Sequence, residues 1–330
     1  MQRRRLVFRV IGNSKVGMGH IFRAVTLAHE LIDHDVTFFS DELSARAVKD
    51  VIGNAYLVEI INSASIVKSI IDSKPDMVIN DILDTEVKDV VPLRQKGIKV
   101  LNFEDLGEGA QFADLVINEL YDEPQIEGDN ILWGRSHFFV RDEFSNAKPN
   151  QTVENVDSLL LVFGGVDQHD LSKKICDAIR VICKKKGIKI FVVTGPGYSG
   201  YERFRREVEG DSAIDLTHAT GVISRIMEKV QLAITSNGRT VYELAHMSIP
   251  AIVIPQHERE KTHSFACQEN GFVQLDPYVE GETELTVVKI LNDLLEDSNY
   301  RQALFNATTG FRFDQNKKKV VSRILHLFDS

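Results

Sequence analysis

Hydrophobic and polar positions fall into two recurring patterns along this chain: short, nearly unbroken apolar runs, and longer stretches with apolar residues at helical spacing. Unbroken runs between turn residues mark strands buried on both faces, and the helical spacing marks amphipathic helices. The first half predicts strands at 6–12 (LVFRVIG), 36–40 (VTFFS), 57–61 (LVEII), 76–81 (DMVIND), 98–105 (IKVLNFED) and 113–120 (ADLVINEL). Helices are predicted between them at 21–32, 42–51, 65–73 and 87–96. Residues 146–157 (NAKPNQTVENVD) are polar and aperiodic and hold one proline, which marks a linker. The pattern then restarts with a strand ending at Phe163, a helix from Leu171, a strand in 188–197 and a strand, loop and helix in 213–230. A strand at 232–235, a helix from Arg239 to Met247 and a strand at 251–255 follow, and 316–328 is an amphipathic helix.

Strands alternating with helices through short turns call for parallel sheets with helices on both faces. The chain's 330 residues are enough for two such domains. The expected class is therefore α/β, with a first doubly wound domain at 1–145, the linker at 146–157 and a second domain at 158–330.

Open sheets of this kind bind ligands at the carboxyl ends of their strands, so the turns there carry the candidate chemistry. After the first strand comes Asn13 to His20, with Gly17 and Gly19 at the strand-to-helix junction. It is not the dinucleotide fingerprint, which would place a third glycine at Phe22. His20 at the helix start is a candidate general base, since neutral imidazole takes a proton from water near neutral pH, and Arg23 follows one turn later. The strand ends beyond carry Asp81, Asp84, Glu104 and Asp105, carboxylates able to orient sugar hydroxyls or assist His20.

In the second half, Gly164 and Gly165, with Asp167 behind them, form one glycine loop, and Gly195 ends another strand. Ser236-Asn237-Gly238 then joins a strand to the helix bearing Thr240 and Glu243. Backbone N–H groups of such a loop and the helix start behind it suit a diphosphate, and Glu243 suits ribose hydroxyls. His257, Glu258, Glu260 and His263 are crowded but lack the spacing of a zinc site, so no metal is expected.

Composition narrows the partners. A net charge of −9 opposes nucleic-acid binding and stable docking on anionic membranes. No apolar run reaches the roughly 20 residues of a membrane span, and the basic start runs straight into a strand rather than a signal peptide, which reads as cytoplasmic. Cys176, Cys183 and Cys267 read as buried reduced thiols.

Four motifs also carry a resemblance. Gly17-Met18-Gly19-His20 with Arg23, FFVRDEF (138–144), FGGVDQHDL (163–171) and SNGRTVYEL (236–244) resemble, in this order, the PseG/SpsG-like family of two-domain (GT-B) nucleotide-sugar enzymes. Its PseG members hydrolyse UDP from a di-N-acetylated trideoxy-hexose on the way to pseudaminic acid. The resemblance implies two Rossmann-like domains facing an interdomain cleft, with the C-terminal helix packing back across them. It implies that His20 activates water, that Asp81 occupies the family's aspartate position, and that Gly164, Gly165, Ser236, Asn237, Gly238 and Thr240 hold the diphosphate with Glu243 on the ribose. Uracil would lie near Gly221 and Val222. PseG's aspartate-histidine-tyrosine element is matched here only at Asp81, and its relatives' Asn-Gln pair is replaced by Arg259-Glu260, which implies either a different sugar or a contact made by His263 instead. The expected activity is a metal- and cofactor-free UDP-sugar hydrolase in surface-polysaccharide biosynthesis. A glycosyltransferase using the same donor, and a non-catalytic nucleotide-sugar binder, are the other two classes the motifs admit.

Overall fold

The computed structural model describes residues 2–13 and 16–329, and the chain divides into two compact units, Met1–Arg141 with Asp314–Ser330, and Asp142–Phe313. Unit 1 runs β1 (Arg5–Val10), α1 (Gly19–Glu30), β2 (Asp35–Ser40), α2 (Ala45–Ile52), β3 (Leu57–Ile60), α3 (Ile66–Ser73), β4 (Met77–Asp81), α4 (Val87–Arg94), β5 (Lys99–Phe103), β6 (Leu115–Asn118) and β7 (Ile131–Trp133). Its strands form one parallel sheet in the order β3-β2-β1-β4-β5-β6-β7.

Unit 2 runs β8 (Ser158–Val162), α5 (Leu171–Lys186), β9 (Lys189–Thr194), α6 (Tyr201–Val208), β10 (Ile214–His218), α7 (Ser224–Met227), β11 (Leu232–Thr235), α8 (Arg239–His246), β12 (Ala251–Val253), α9 (Glu258–Lys261), β13 (Phe272–Gln274), α10 (Glu282–Glu296) and α11 (Ser298–Thr308). These strands also form one parallel sheet, β10-β9-β8-β11-β12-β13. The last helix, α12 (Asn316–His326), belongs to unit 1, where Asn316 donates to the carbonyls of Arg135 and Phe138 and Lys317 pairs with Glu30 at 2.8 Å.

The unbroken apolar runs have the cause the pattern implies. Every residue of β4 and of β8 is buried, because helices cover both faces of each sheet. In unit 1, Val7, Val78 and Val100 pack against Ile66, Ile70, Val90 and Leu93. In unit 2, Leu159, Leu161 and Ile234 pack against Leu171, Ile175 and Ile179, with Val287, Leu291 and Leu294 of α10 in the same cluster. Among the described residues no helix is long and apolar enough to cross a membrane.

Two features of these sheets position the sites. Chain order reverses between β1 and β4 in the first sheet and between β8 and β11 in the second, and such switch points open a crevice at the carboxyl ends of the strands. In unit 1 the neighbouring strand ends are further braced by a buried polar ladder. Asn80 donates to Asn102 at 2.9 Å, and Asn102 and the Thr85 hydroxyl both reach Asp105 at 2.6 Å. The amides of Thr85 and Gly107 fill Asp105's other oxygen. Burial pushes the Asp105 carboxyl up from its usual range, and these hydrogen bonds oppose the shift. Asp105 is thus an architectural acid.

Arg301 does similar work in unit 2. Buried at the start of α11, it donates through Nε to the Val153 carbonyl at 2.7 Å, through Nη1 to Leu294 at 2.5 Å and through Nη2 to Glu154 at 2.8 Å. It ties the segment entering β8 to the α10–α11 corner. Arg301→Met should strand three carbonyls and lower unfolding free energy by about 2–4 kcal/mol, read as a lower urea midpoint for unit 2.

Candidate active site

At the switch point of unit 1 the sequence places a histidine and an arginine one helical turn apart, and the fold brings three acids to meet them. Gly17, at φ +76°, closes the turn after β1 by donating to the Asn13 carbonyl at 3.0 Å, and Gly19 opens α1. Ser14 and Lys15 of this loop lie outside the described residues. His20 and Arg23 then share the face of α1 turned toward β4, whose last residue is Asp81.

His20 Nδ1 lies 2.6 Å from Asp81 Oδ1. An ionised carboxylate only accepts hydrogen bonds, so the ring hydrogen sits on Nδ1 and the lone pair is left on Nε2. Arg23 Nη2 is 3.4 Å from the same nitrogen, but a guanidinium only donates and an Nδ1 that carries the hydrogen cannot accept from it. Arg23, wholly buried, spends its guanidinium on carboxylates rather than standing open to a ligand. Nε reaches Asp81 Oδ2 at 2.8 Å, Nη2 reaches Asp81 Oδ1 at 2.5 Å and Glu104 Oε2 at 2.8 Å, and Nη1 reaches Glu119 Oε1 at 2.8 Å. Its underside rests on the Phe103 ring at 4.8 Å.

Burial opposes charge on Asp81, but the Arg23 guanidinium and then His20 outweigh it and hold the carboxyl below its usual range. Burial likewise opposes the charge on Arg23, and Asp81 and Glu104 more than offset it, so its pKa is raised. Glu104 is held at φ +51°, a left-handed conformation uncommon for a side-chain-bearing residue. That kink ends β5 at Phe103 and turns the Glu104 carboxyl back to Arg23, 3.7 Å from His20 Nδ1. The sequence offered Glu104 only as one strand-end acid among several, and Glu119 not at all, because it lies inside the apolar run ADLVINEL. Asp84 accepts from the Leu106 amide at 2.9 Å and lies outside this cluster. His20, Asp81 and Glu104 also bring ligand atoms within 4.8 Å of one another, as a cation site would. Arg23 Nη2 already donates to both carboxylates, so the cluster reads as a guanidinium clamp.

Unit 2 answers with backbone rather than charge. β8 and β11 end side by side, and a Cβ on Gly164, itself at φ +77°, would lie 3.9 Å from Ser236 Oγ. The two glycine loops therefore share one switch point. Gly165 is held from below: a Cβ on Gly195 would lie 2.3 Å from Gly165 Cα, and Gly197 N–H donates to the Gly165 carbonyl at 2.9 Å. Gly195 thus makes a close backbone contact. Asp167 is engaged as well, its two oxygens accepting the amides of Leu171 and Ser172 at 2.7 Å, so it caps α5.

Asn237 and His263 brace each other. The Asn237 side chain donates to the carbonyls of Glu260 at 2.7 Å and His263 at 3.0 Å, and His263 Nδ1 donates to the Asn237 carbonyl at 2.7 Å. This fixes the Ser236-Asn237-Gly238 loop at the start of α8, where the first backbone amides of a helix lack intrahelical partners. Ser236 and Glu243 are buried and Thr240 is half-buried on the first turn of α8. Val222 stands exposed after β10, in a loop where Ala219 takes φ +50°. Glu260, half-buried in α9, lies against the loop: burial pushes its carboxyl up to about 7, opposed by hydrogen bonds from the Gln256 and Asn237 backbone. His257 lies 4.0 Å from it, and the α9 segment shows no metal cluster among the described residues.

Two doubly wound parallel sheets, each with its conspicuous loops at the switch point, define a GT-B-like α/β protein. The chain belongs to the glycosyltransferase family 28 C-terminal domain family, whose profile matches residues 159–324. Among known proteins it is 26% identical over 272 residues to the uncharacterized protein MJ1062 of Methanocaldococcus jannaschii, a match covering 76% of this chain and 55% of that one. It thus spans only about half of that relative's length. It is 23% identical over 269 residues to the spore coat polysaccharide biosynthesis protein SpsG of Bacillus subtilis, covering 78% and 79% of the two chains. Of solved structures, it is similar to HepE of Anabaena in complex with UDP, with a TM-score of 0.64 at 12% identity, covering 98% of this chain and 99% of that one.

Two substitutions check these assignments. Gly195→Ala should cost about 1–3 kcal/mol of unit 2 stability, since neither backbone can withdraw, measured by chemical unfolding. Arg23→Met should cost about 3–5 kcal/mol at neutral pH by leaving buried carboxylates unpaired. Because the folded Asp81 pKa is depressed, its ionisation stabilises the wild type above the usual carboxylate pKa of about 4 and less as pH falls through the folded value. The gap between wild type and variant should therefore narrow in acid.

Proposed function

We propose that this chain is a nucleotide-sugar hydrolase of the PseG/SpsG-like type, releasing UDP from a modified hexose during surface-glycan synthesis. The observation that carries the reading is the His20–Asp81 pair. Asp81 fixes the tautomer that leaves Nε2 as a base, in the first turn of α1 at the switch point of unit 1. In the proposed reaction Nε2 takes a proton from water as the water oxygen bonds to the anomeric carbon. The bond from that carbon to the diphosphate oxygen breaks, and UDP leaves with the electron pair.

Unit 2 would receive the nucleotide. Amides of Gly164, Gly165, Ser236, Asn237, Gly238 and Thr240 are the proposed diphosphate donors, Glu243 the ribose partner and Val222 the neighbour of the base. Amides already fixed in place need no reorganisation as charge builds on the leaving diphosphate. The UDP complex of HepE and the polysaccharide role in SpsG's name support a UDP-sugar substrate in a glycan pathway.

The family match supports a second reading equally well, a glycosyltransferase in which a sugar or lipid hydroxyl replaces water at the same base. The two are separated by UDP release from a panel of UDP-sugars, 2,4-diacetamido-trideoxy hexoses included, without any acceptor. Acceptor-free release means hydrolase; release only on adding an acceptor means transferase. In either case His20→Ala should lower kcat by about 10²- to 10⁴-fold while UDP affinity by calorimetry stays within about twofold of wild type. Parallel loss of both would make His20 a binding residue.

A further inference from the structure

We propose that Glu260 is a resident anion of the β11–α8 loop, and that a diphosphate enters this loop with uptake of one proton by the Glu260 carboxyl. The inference rests on the reading of the loop as a diphosphate site.

The geometry is that of an acid set against the β11–α8 loop. Glu260 Oε2 accepts the Gln256 amide at 2.7 Å, and the backbone of Asn237, the middle residue of the loop, also hydrogen-bonds the carboxyl. A Cβ on Gly238 would project to within 4.0 Å of Glu260 Oε1, so the carboxyl lies against the residue that starts α8. The position is braced: Asn237 Nδ2 holds the Glu260 carbonyl, and His263 holds the Asn237 carbonyl from the other side. One residue before the loop, the Thr235 hydroxyl is wholly buried and has no hydrogen-bond partner among the described residues.

Among the described residues no lysine or arginine lies within 4.0 Å of this carboxyl. Among the described residues the one oppositely charged group within 4.0 Å is His257, whose Nδ1 accepts the Glu260 amide. Burial, then Arg259 and His169, push the His257 pKa below its usual value and so disfavour its charged form. Glu258 and Arg259 on α9, Arg239 at the start of α8, and His263 are the other titratable or charged groups on the elements around it. Loop amides favour the carboxylate and burial disfavours it; burial prevails, bringing the group to about 7.

A diphosphate and a carboxylate cannot both lie against this loop as anions, since like charges at such distances disfavour double ionisation. The balanced step takes one proton from solvent onto Glu260. The neutral carboxyl then donates its O–H to a phosphate oxygen instead of repelling it. Affinity should consequently be highest below pH 7 and fall as pH rises through it.

The test is isothermal titration calorimetry of the whole chain with UDP and, separately, inorganic pyrophosphate at pH 6, 7 and 8, for wild type, Glu260→Gln and Glu260→Ala. Proton loss by the ligands is common to all three proteins, so the difference between them isolates Glu260. With a carboxyl near 7, wild-type Kd should rise roughly tenfold more than that of either variant from pH 6 to 8. Parallel slopes in all three proteins, or pyrophosphate and UDP failing to bind any of them, would overturn the proposal. If pyrophosphate shows the difference and UDP binds none of the proteins, the inference stands and the nucleotide reading fails. UDP binding with parallel slopes gives the reverse.

Discussion

One buried guanidinium holds the carboxyl ends of unit 1 together. Arg23 reaches from α1 to the last residue of β4, to the residue after β5 and to the residue after β6, with no exposure of its own. Three buried acids gathered at one strand edge would repel one another, and the delocalised cation makes their grouping stable. It also sets the chemistry, because the Asp81 carboxylate it holds ionised orients His20 and leaves Nε2 bare. A lysine at the same place would offer a point charge in place of a fork that serves three carboxylates at once.

The two units solve the same topological problem with opposite electrostatics. Each opens its sheet where strand order reverses. Unit 1 lines that edge with acids around an arginine, and unit 2 lines it with glycines and the amides at the start of α8. An acid-rich edge suits positive charge developing at a sugar carbon, and an amide-rich edge suits a departing diphosphate. Glu260 is the exception in unit 2, a carboxyl that burial pushes up to about 7, held by the Gln256 amide and, among the described residues, with no lysine or arginine within 4.0 Å. The family assignment sits on the amide-rich half, since the matched residues 159–324 begin within β8.

Much of this fold was legible in the chain because its strands are buried on both faces. An unbroken run such as SLLLV fits a strand buried on both faces, and its alternation with helices gave the parallel class. The short edge strands β7 and β13 and the small helix α9 lay below that signal, with three or four residues each. The run IKVLNFED overshot the end of β5 because Glu104 takes a left-handed turn that apolarity does not encode. What the sequence could not show of Asp167 and Gly195 is their local packing, a cap on α5 and a close backbone contact with Gly165.

The sequence by itself determined the doubly wound class, the strand-end location of the glycine loops and the prominence of His20, since each depends on neighbours a few positions away. Tertiary structure alone decided what His20 and Arg23 touch. Arg23's partners lie 58, 81 and 96 residues along the chain, brought alongside by the order of parallel strands rather than by any local motif. Glu119 and Glu260 acquired their meaning the same way. A carboxyl's character depends on burial and on the charges and amides folded against it, and those are properties of packing that no spacing of letters contains.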